Sequence, residues 1–181
     1  MIAIVLLVCS VLLAFPLELP AFDSNSTTVR TKSRKNTKAF DLPIGRLYVD
    51  PNTWSKITEN LVPGSTLELV HSEGDVFLAV VTSPDFVPAV DFISAFVEGM
   101  ASAAPEVKDP RISKQRTVQV NGKQLTDVSI TSLVAKQVFV YRGYLYTGRK
   151  GMCFIVTWTH GDLYQELKQV IEQVLDGYVV K

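Results

Sequence analysis

Three features of this 181-residue chain predict an α+β fold in which an antiparallel β-sheet meander is flanked by helices, an α/β/α sandwich. Apolar runs of strand length recur with short, turn-forming connections between them. Two longer stretches carry apolar residues at helical spacing. The helices fall early and late in the order instead of alternating with the strands, which favours sequential antiparallel pairing over a parallel sheet.

The chain opens on a different kind of segment. Residues 1–17 carry no charge and are almost wholly apolar, and Glu18, Leu19, Pro20 and Ala21 follow at once. Residues 1–21 therefore read as an export leader, a signal peptide with cleavage after Ala21, or alternatively as an uncleaved membrane anchor. The apolar run over 2–17 is shorter than the ~20 residues that span a bilayer comfortably. No Lys or Arg precedes it, and Leu19 is bulkier than the small residue preferred two places before a cut. Cys9 as a lipid-modified cysteine fits poorly, because Val8 precedes it and the apolar run continues past it. Exported, periplasmic or secreted, is the predicted localisation, with membrane anchoring as the alternative.

Residues 22–40 form a basic linker predicted to be disordered, since they offer little apolar surface to offset the entropy of ordering. This stretch holds five basic residues (Arg30, Lys32, Arg34, Lys35 and Lys38) and one acidic residue, whereas residues 41–181 hold 13 basic and 16 acidic residues. The balanced total of 18 basic and 18 acidic side chains conceals that asymmetry. Contact between the linker and a membrane surface rich in anionic head groups is one reading; a solvated tether is the other. Asn25-Ser26-Thr27 is a glycosylation sequon, useful only in a host that glycosylates exported proteins.

Residues 41–181 have the length of one domain, able to bury roughly 68–70% of the unfolded surface. A short strand over 46–49 enters the core through the turn Asp50-Pro51-Asn52, and Trp54 follows in a short irregular or helical piece before Pro63-Gly64. Runs over 67–71 and 76–82, joined by Ser72-Glu73-Gly74-Asp75, predict an antiparallel hairpin. Pro88 suits a first helical turn, and Phe92, Phe96 and Met100 recur every four residues beside Ala89, Ile93 and Val97. Small residues and Pro105 end that helix over 101–105.

From Arg116 onward the pattern is a meander. Strands over 117–120 and 124–131 meet through Asn121-Gly122-Lys123, where Asn and Gly both tolerate positive φ. Strands over 137–147 and 152–159 form a second hairpin around Gly148-Arg149-Lys150-Gly151, the second strand being apolar on both faces as a covered central strand requires. Asp162 is predicted to cap a last helix whose Leu163, Leu167, Val170, Ile171 and Val174 share one face and which Gly177 ends. Cys153, flanked by Met152, Phe154, Ile155 and Val156, reads as a core residue; with the leader removed it stands alone, so no intramolecular disulfide forms.

This order resembles the PsbP-like and Mog1-like α/β/α sandwich superfamily over residues 40–181. The resemblance is carried by Trp54 just after a strand, the hairpin, the helix and the Val118-Gln119-Val120-Asn121-Gly122-Lys123 turn. The Tyr141-Arg142-Gly143-Tyr144 strand, the glycine-bounded hairpin and the closing helix complete it. Members of that superfamily are mostly binding or assembly factors, so the resemblance implies such a role and hands over no site.

The residues spell no reaction. A phosphate-binding glycine loop, a Gly-x-Ser-x-Gly elbow and a cysteine pair for zinc are all missing from the sequence, so no enzyme class, cofactor or metal is predicted. His71, Glu73 and Asp75 alternate at a hairpin end, but exposed acids are common in turns and no second histidine has matching spacing. His160 and Asp162 invite acid–base chemistry, yet Asp162 serves first as a helix cap.

Tyr141, Arg142, Tyr144, Tyr146, Arg149 and Lys150 crowd one hairpin and are the predicted partner-binding patch, because Tyr and Arg bury area while keeping a polar tip. Their replacement is expected to abolish association and leave stability nearly unchanged; the alternative is that Tyr144 and Tyr146 simply shield a sheet face. The predicted function is a non-enzymatic exported binding or assembly accessory protein with a protein partner in the envelope or outside the cell. A small-molecule binder or hydrolase, with Trp158, Tyr141 and His160 lining a sheet–helix cleft, is the alternative. Nucleic acid is not an expected partner, since the folded region is net acidic and export removes it from most nucleic acid.

Overall fold

The computed structural model of the protein describes residues 29–30, 37–58, 61–103 and 106–181. The predicted leader over 1–21, the sequon and most of the linker lie outside these residues. Eleven strands and two α-helices follow in the order β1 (Val29–Arg30), β2 (Lys38–Leu42), β3 (Gly45–Val49), β4 (Trp54–Lys56), β5 (Ser65–His71), β6 (Phe77–Ser83), α1 (Ala89–Ala103), β7 (Val107–Val120), β8 (Lys123–Val134), β9 (Gln137–Gly148), β10 (Gly151–His160), α2 (Tyr164–Leu175) and β11 (Tyr178–Val180).

Eight strands form one sheet in the order β1-β7-β8-β9-β10-β6-β5-β4, and a second sheet has the order β11-β3-β2. All pairings are antiparallel except the two-residue contact of β1 with β7. The predicted meander and the β5–β6 hairpin are present, joined where β10 pairs with β6.

Side chains alternate across this sheet and feed two cores. Leu125, Cys153 and Ile155 face one core with Leu167, Ile171, Val174 and Leu175 of α2 and with Leu47, Val49, Tyr178 and Val180 of the small sheet. Val128, Ile130, Phe154 and Val156 face the other, with Phe92, Ile93 and Met100 of α1. The architecture is an α/β/α sandwich, with α1 on one side of the large sheet and α2 with the small sheet on the other. β10 is buried over nearly its whole length, as its unbroken apolar run requires.

Local chemistry explains the connections. Asn121 and Gly122 take φ of 48° and 78°, the pattern of a two-residue type I′ turn. The Asn121 side chain also donates to the carbonyls of Asp176 and Tyr178, tying this hairpin to the end of α2. Gly143 has no space for a Cβ, which would stand 2.6 Å from the Phe154 ring and 2.7 Å from the Ile155 carbonyl. The bare backbone there lets Phe154 lie under α1, edge-on to Phe96 at 5.1 Å and Phe92 at 5.4 Å. Buried Glu68 accepts from the Leu61 and Val62 amides and the Ser65 hydroxyl, fixing the loop before β5.

Several elements differ from expectation. Trp54 opens a strand, not the expected irregular or helical piece: the Trp54 amide closes a turn on the Asp50 carbonyl, and β4 then pairs with β5. β1 lies inside the stretch 22–40 expected to be a disordered linker, and β2 begins at Lys38, three residues before the expected domain boundary at Asp41. β7 starts at Val107, ten residues before its predicted start, and β8 extends to Val134. Asp162 does not cap α2; it lies inside a 3₁₀ turn, Gly161–Leu163, and Leu163 occupies the N-cap without a side-chain bond. Gly177 does end α2, its amide bonding the Val174 carbonyl.

Candidate functional site

Two groups of side chains on opposite faces of the large sheet are candidates. Register sets the first. Lys114, Ser129, Arg142 and Thr157 pair in one row across β7, β8, β9 and β10, and Arg116, Asp127, Tyr144 and Ile155 in the next. Both rows lie on the face that α2 covers. Asp127 is fully buried, and one of its oxygens, Oδ2, accepts from Arg142 Nη2 at 2.6 Å and from Arg116 Nε at 2.9 Å. Arg142 is only 5% exposed, so this is a buried ion pair whose desolvation must be offset by close geometry. The Arg142 carbonyl accepts from the Thr157 hydroxyl. Asp127 Oδ1 and Arg142 Nε are buried and make no hydrogen bond among the described residues.

Lys114 borders this pair at the sheet edge. Partial burial, and then the like charges of Arg116 and Arg142, hold its amine below the usual lysine range; Lys168 of α2 adds to the effect and Asp127 opposes it. Among the described residues Lys114 has no salt-bridge partner.

The second group lies on the α1 face, toward the ends of the strands. Phe77, Trp158 and Tyr141 pair in one row across β6, β10 and β9, and His160 pairs with Phe139 one step along. Phe77 and Trp158 stack at 5.6 Å with a 13° angle, and the Phe139 and His160 rings lie 4.3 Å apart. All five are half-buried. Trp158 and Tyr141 pack against the α1 core, and burial raises the Tyr141 phenol above its usual range. The strands thus hold five rings as a fixed, amphipathic surface. A depression of about 170 Å³, lined by Thr117, Gln124, Leu125, Thr126, Leu145 and Thr147, carries no ionisable side chain.

The six residues expected to form one patch are divided by this geometry. Tyr144 is fully buried, its hydroxyl donating to Asp176 Oδ1 at 3.0 Å, and Arg142 is held by Asp127. Neither is a surface residue, because their alternation places them on the side that α2 and the small sheet cover. Tyr146 packs partly buried against the same core. Tyr141 points to the opposite face, into the aromatic group. Arg149 and Lys150 remain exposed at the turn, with Lys150 reaching the Lys181 carbonyl at 3.3 Å.

The other sequence candidates separate as well. His71 is buried edge-on to Trp54 at 5.5 Å, while Glu73 and Asp75 are exposed in the turn. Among the described residues no group of three or more His, Cys, Asp or Glu is placed to hold a metal ion. Trp158, Tyr141 and His160, named for a cleft, do share one face. Sequence reasoning missed Phe77 and Phe139 as their neighbours, and Lys114, Arg116 and Asp127 altogether. Lys108, Arg111, Lys114 and Arg116 recur at spacings of three, three and two, so the basic run lacks both the period-two alternation and the apolar partner set that mark a strand.

No family model and no curated protein matches the chain. Among solved structures, the solution structure of cyanobacterial PsbP (CyanoP) from Synechocystis sp. PCC 6803 superimposes with a TM-score of 0.63 at 15% identity, covering 81% of this chain and 93% of that one. A protein of unknown function from Pseudomonas aeruginosa covers 81% of this chain and 98% of its own at 9% identity, with a TM-score of 0.48. Sandwich layering, strand order and the superposition on the cyanobacterial protein together give this chain a PsbP-like fold.

Proposed function

We propose that the protein is a non-enzymatic, exported binding or assembly accessory protein that docks a protein partner on the aromatic surface of the α1 face. The observation that carries this reading is the Phe77–Trp158–Tyr141 row, three half-buried rings set side by side on paired strands. Such side chains bring large contact area with few rotors to fix, which is why Trp and Tyr recur as interface anchors. The PsbP-like fold supports an accessory role by analogy alone. A non-catalytic reading is supported by the state of the chain's one described thiol: burial pushes Cys153 up to about 11, which keeps it protonated and inert at neutral pH. Export rests on the apolar, uncharged residues 1–17. Among the described residues no helix is long and apolar enough to cross a membrane.

Native mass spectrometry of the protein recovered gently from its own host tests the reading. A mass matching residues 22–181, together with a stoichiometric protein adduct that Phe77→Ala with Trp158→Ala removes, is the expected result. An adduct that survives this double substitution in a folded protein overturns it. The gathering of Trp158, Tyr141 and His160 on one face favours a second reading, a small-molecule binder, which the same spectra would reveal as a low-mass adduct.

A further inference from the structure

We infer that the cationic corner of the α2 face, built by Lys114, Arg116, Arg142 and Lys168, is a binding site for a phosphate-class dianion. The site lies on the opposite side of the sheet from the aromatic surface and does not depend on the docking role proposed there.

Placement comes first. Lys114 and Arg142 occupy the same row with Ser129 between them, so their Cα atoms are two strand spacings apart, about 10 Å. Ser129, itself buried, stands between them in that row. Arg116 stands in the adjacent row, and Lys168 approaches from α2 closely enough for its charge to act on Lys114.

Charge and hydrogen bonding point the same way. Two guanidiniums share a single oxygen of one carboxylate, and the charges of two ammoniums, Lys114 and Lys168, act beside them. Arg142 Nε–H is buried and has no acceptor among the described residues, and a buried charged donor in that state calls for one. The ion pair with Asp127 explains why Arg142 is held in place; among the described residues it leaves Lys114 and Lys168 outside any salt bridge. A tetrahedral dianion supplies two negative charges and several acceptor oxygens to a planar guanidinium and two point-charge ammoniums, the division of labour that Arg and Lys show at phosphate sites. The crowding of like charges on Lys114 is what such a ligand would relieve.

Isothermal titration of the folded protein with inorganic phosphate, at constant ionic strength set with chloride, tests the inference. Saturable one-to-one binding is expected, weakened at least tenfold by Lys114→Gln with Lys168→Gln and within twofold of wild type for Lys136→Gln, a distant cation at the β8–β9 turn. Lys114 and Lys168 are exposed, so their variants keep the fold, which circular dichroism verifies. Absence of saturable heat, or equal weakening by Lys136→Gln, overturns the site. Phosphate occurs free or borne on a lipid, and co-sedimentation with phosphatidylcholine vesicles, with and without phosphatidic acid, separates these sources. Retention only with phosphatidic acid, lost in the double variant, assigns a lipid head group; failure to sediment with either vesicle assigns a soluble phosphate.

Discussion

On the α2 face, β7, β8 and β9 place Lys114, Arg116, Asp127 and Arg142 in two adjoining rows, while on the α1 face the same meander presents Phe139 and Tyr141 beside Trp158. In the first group charge fixes Asp127 and Arg142 where water scarcely reaches, with Arg116 half-buried and Lys114 exposed at the border. The second is fixed by ring packing in a place water half reaches. A single register sets both, because neighbouring residues of a strand point to opposite sides. The difference teaches that burial of polar groups and exposure of apolar ones are the informative departures from a simple inside–outside pattern.

The strongest way to break this comparison is to remove one partner of the buried pair. Asp127→Ala strands the Arg142 guanidinium in a covered site and is expected to cost about 3–5 kcal/mol in denaturant unfolding, whereas replacing both residues by apolar ones of similar volume costs far less. Arg142→Ala is likewise destabilising, which corrects the expectation that this residue can be changed without effect on stability. A loss below about 1 kcal/mol for Asp127→Ala would show that the pair is not a structural anchor.

Next in size is an alkaline effect. Cys153 is raised from 9.0 to about 11 by burial, so its neutral form is the one the fold retains. Its contribution is fully present below pH 9, where the unfolded thiol is also protonated. It is lost as pH rises toward 11 and the unfolded chain gives up its proton first, a fall of about 2–3 kcal/mol. Tyr178, raised in the same direction by burial, steepens the decline above pH 10. Chemical unfolding at pH 8 and pH 10.5 measures the loss; equal stabilities would contradict the placement of the thiol.

Gly143→Ala sharpens the comparison between the faces, since its Cβ would press on Phe154 and the Ile155 carbonyl and so disturb the α1 side. A loss of about 1–3 kcal/mol is expected in thermal unfolding, with the Asp127 pair intact. The smallest effect is a gain. Lys136 sits at φ 71° in the β8–β9 turn, and Lys136→Gly should stabilise by about 1 kcal/mol, read as a raised unfolding midpoint.

How far the sequence revealed this molecule depends on which residues had a periodic partner set. Phe92, Phe96 and Met100 announced α1, and Asn121-Gly122 announced its turn, because spacing and φ requirements are local. The first half of β7 was hidden: Lys108, Arg111, Lys114 and Arg116 have no alternating apolar set, and their strand character comes from pairing with β8. The β8–β9 turn was hidden too, since Ala135 and Lys136 adopt positive φ without the residues that usually mark it. Likewise β11 is three residues that pair only once α2 has brought them to β3. For the site, alternation told that Arg142, Tyr144 and Tyr146 share a face. It did not tell that α2 and the small sheet would cover that face, because the covering elements arrive from distant parts of the chain. Tyr141, in contrast, was expected in that same patch but lies on the other side of the strand.

Amide hydrogen exchange on the protein alone and in the complex recovered from its host tests the central claim, that the aromatic surface of the α1 face is where the partner docks. The account predicts new protection centred on Phe77, on Phe139 to Tyr141 and on Trp158, with the Arg149–Lys150 turn unchanged. Protection centred on that turn, with exchange at the aromatic row left as in the free protein, would contradict it.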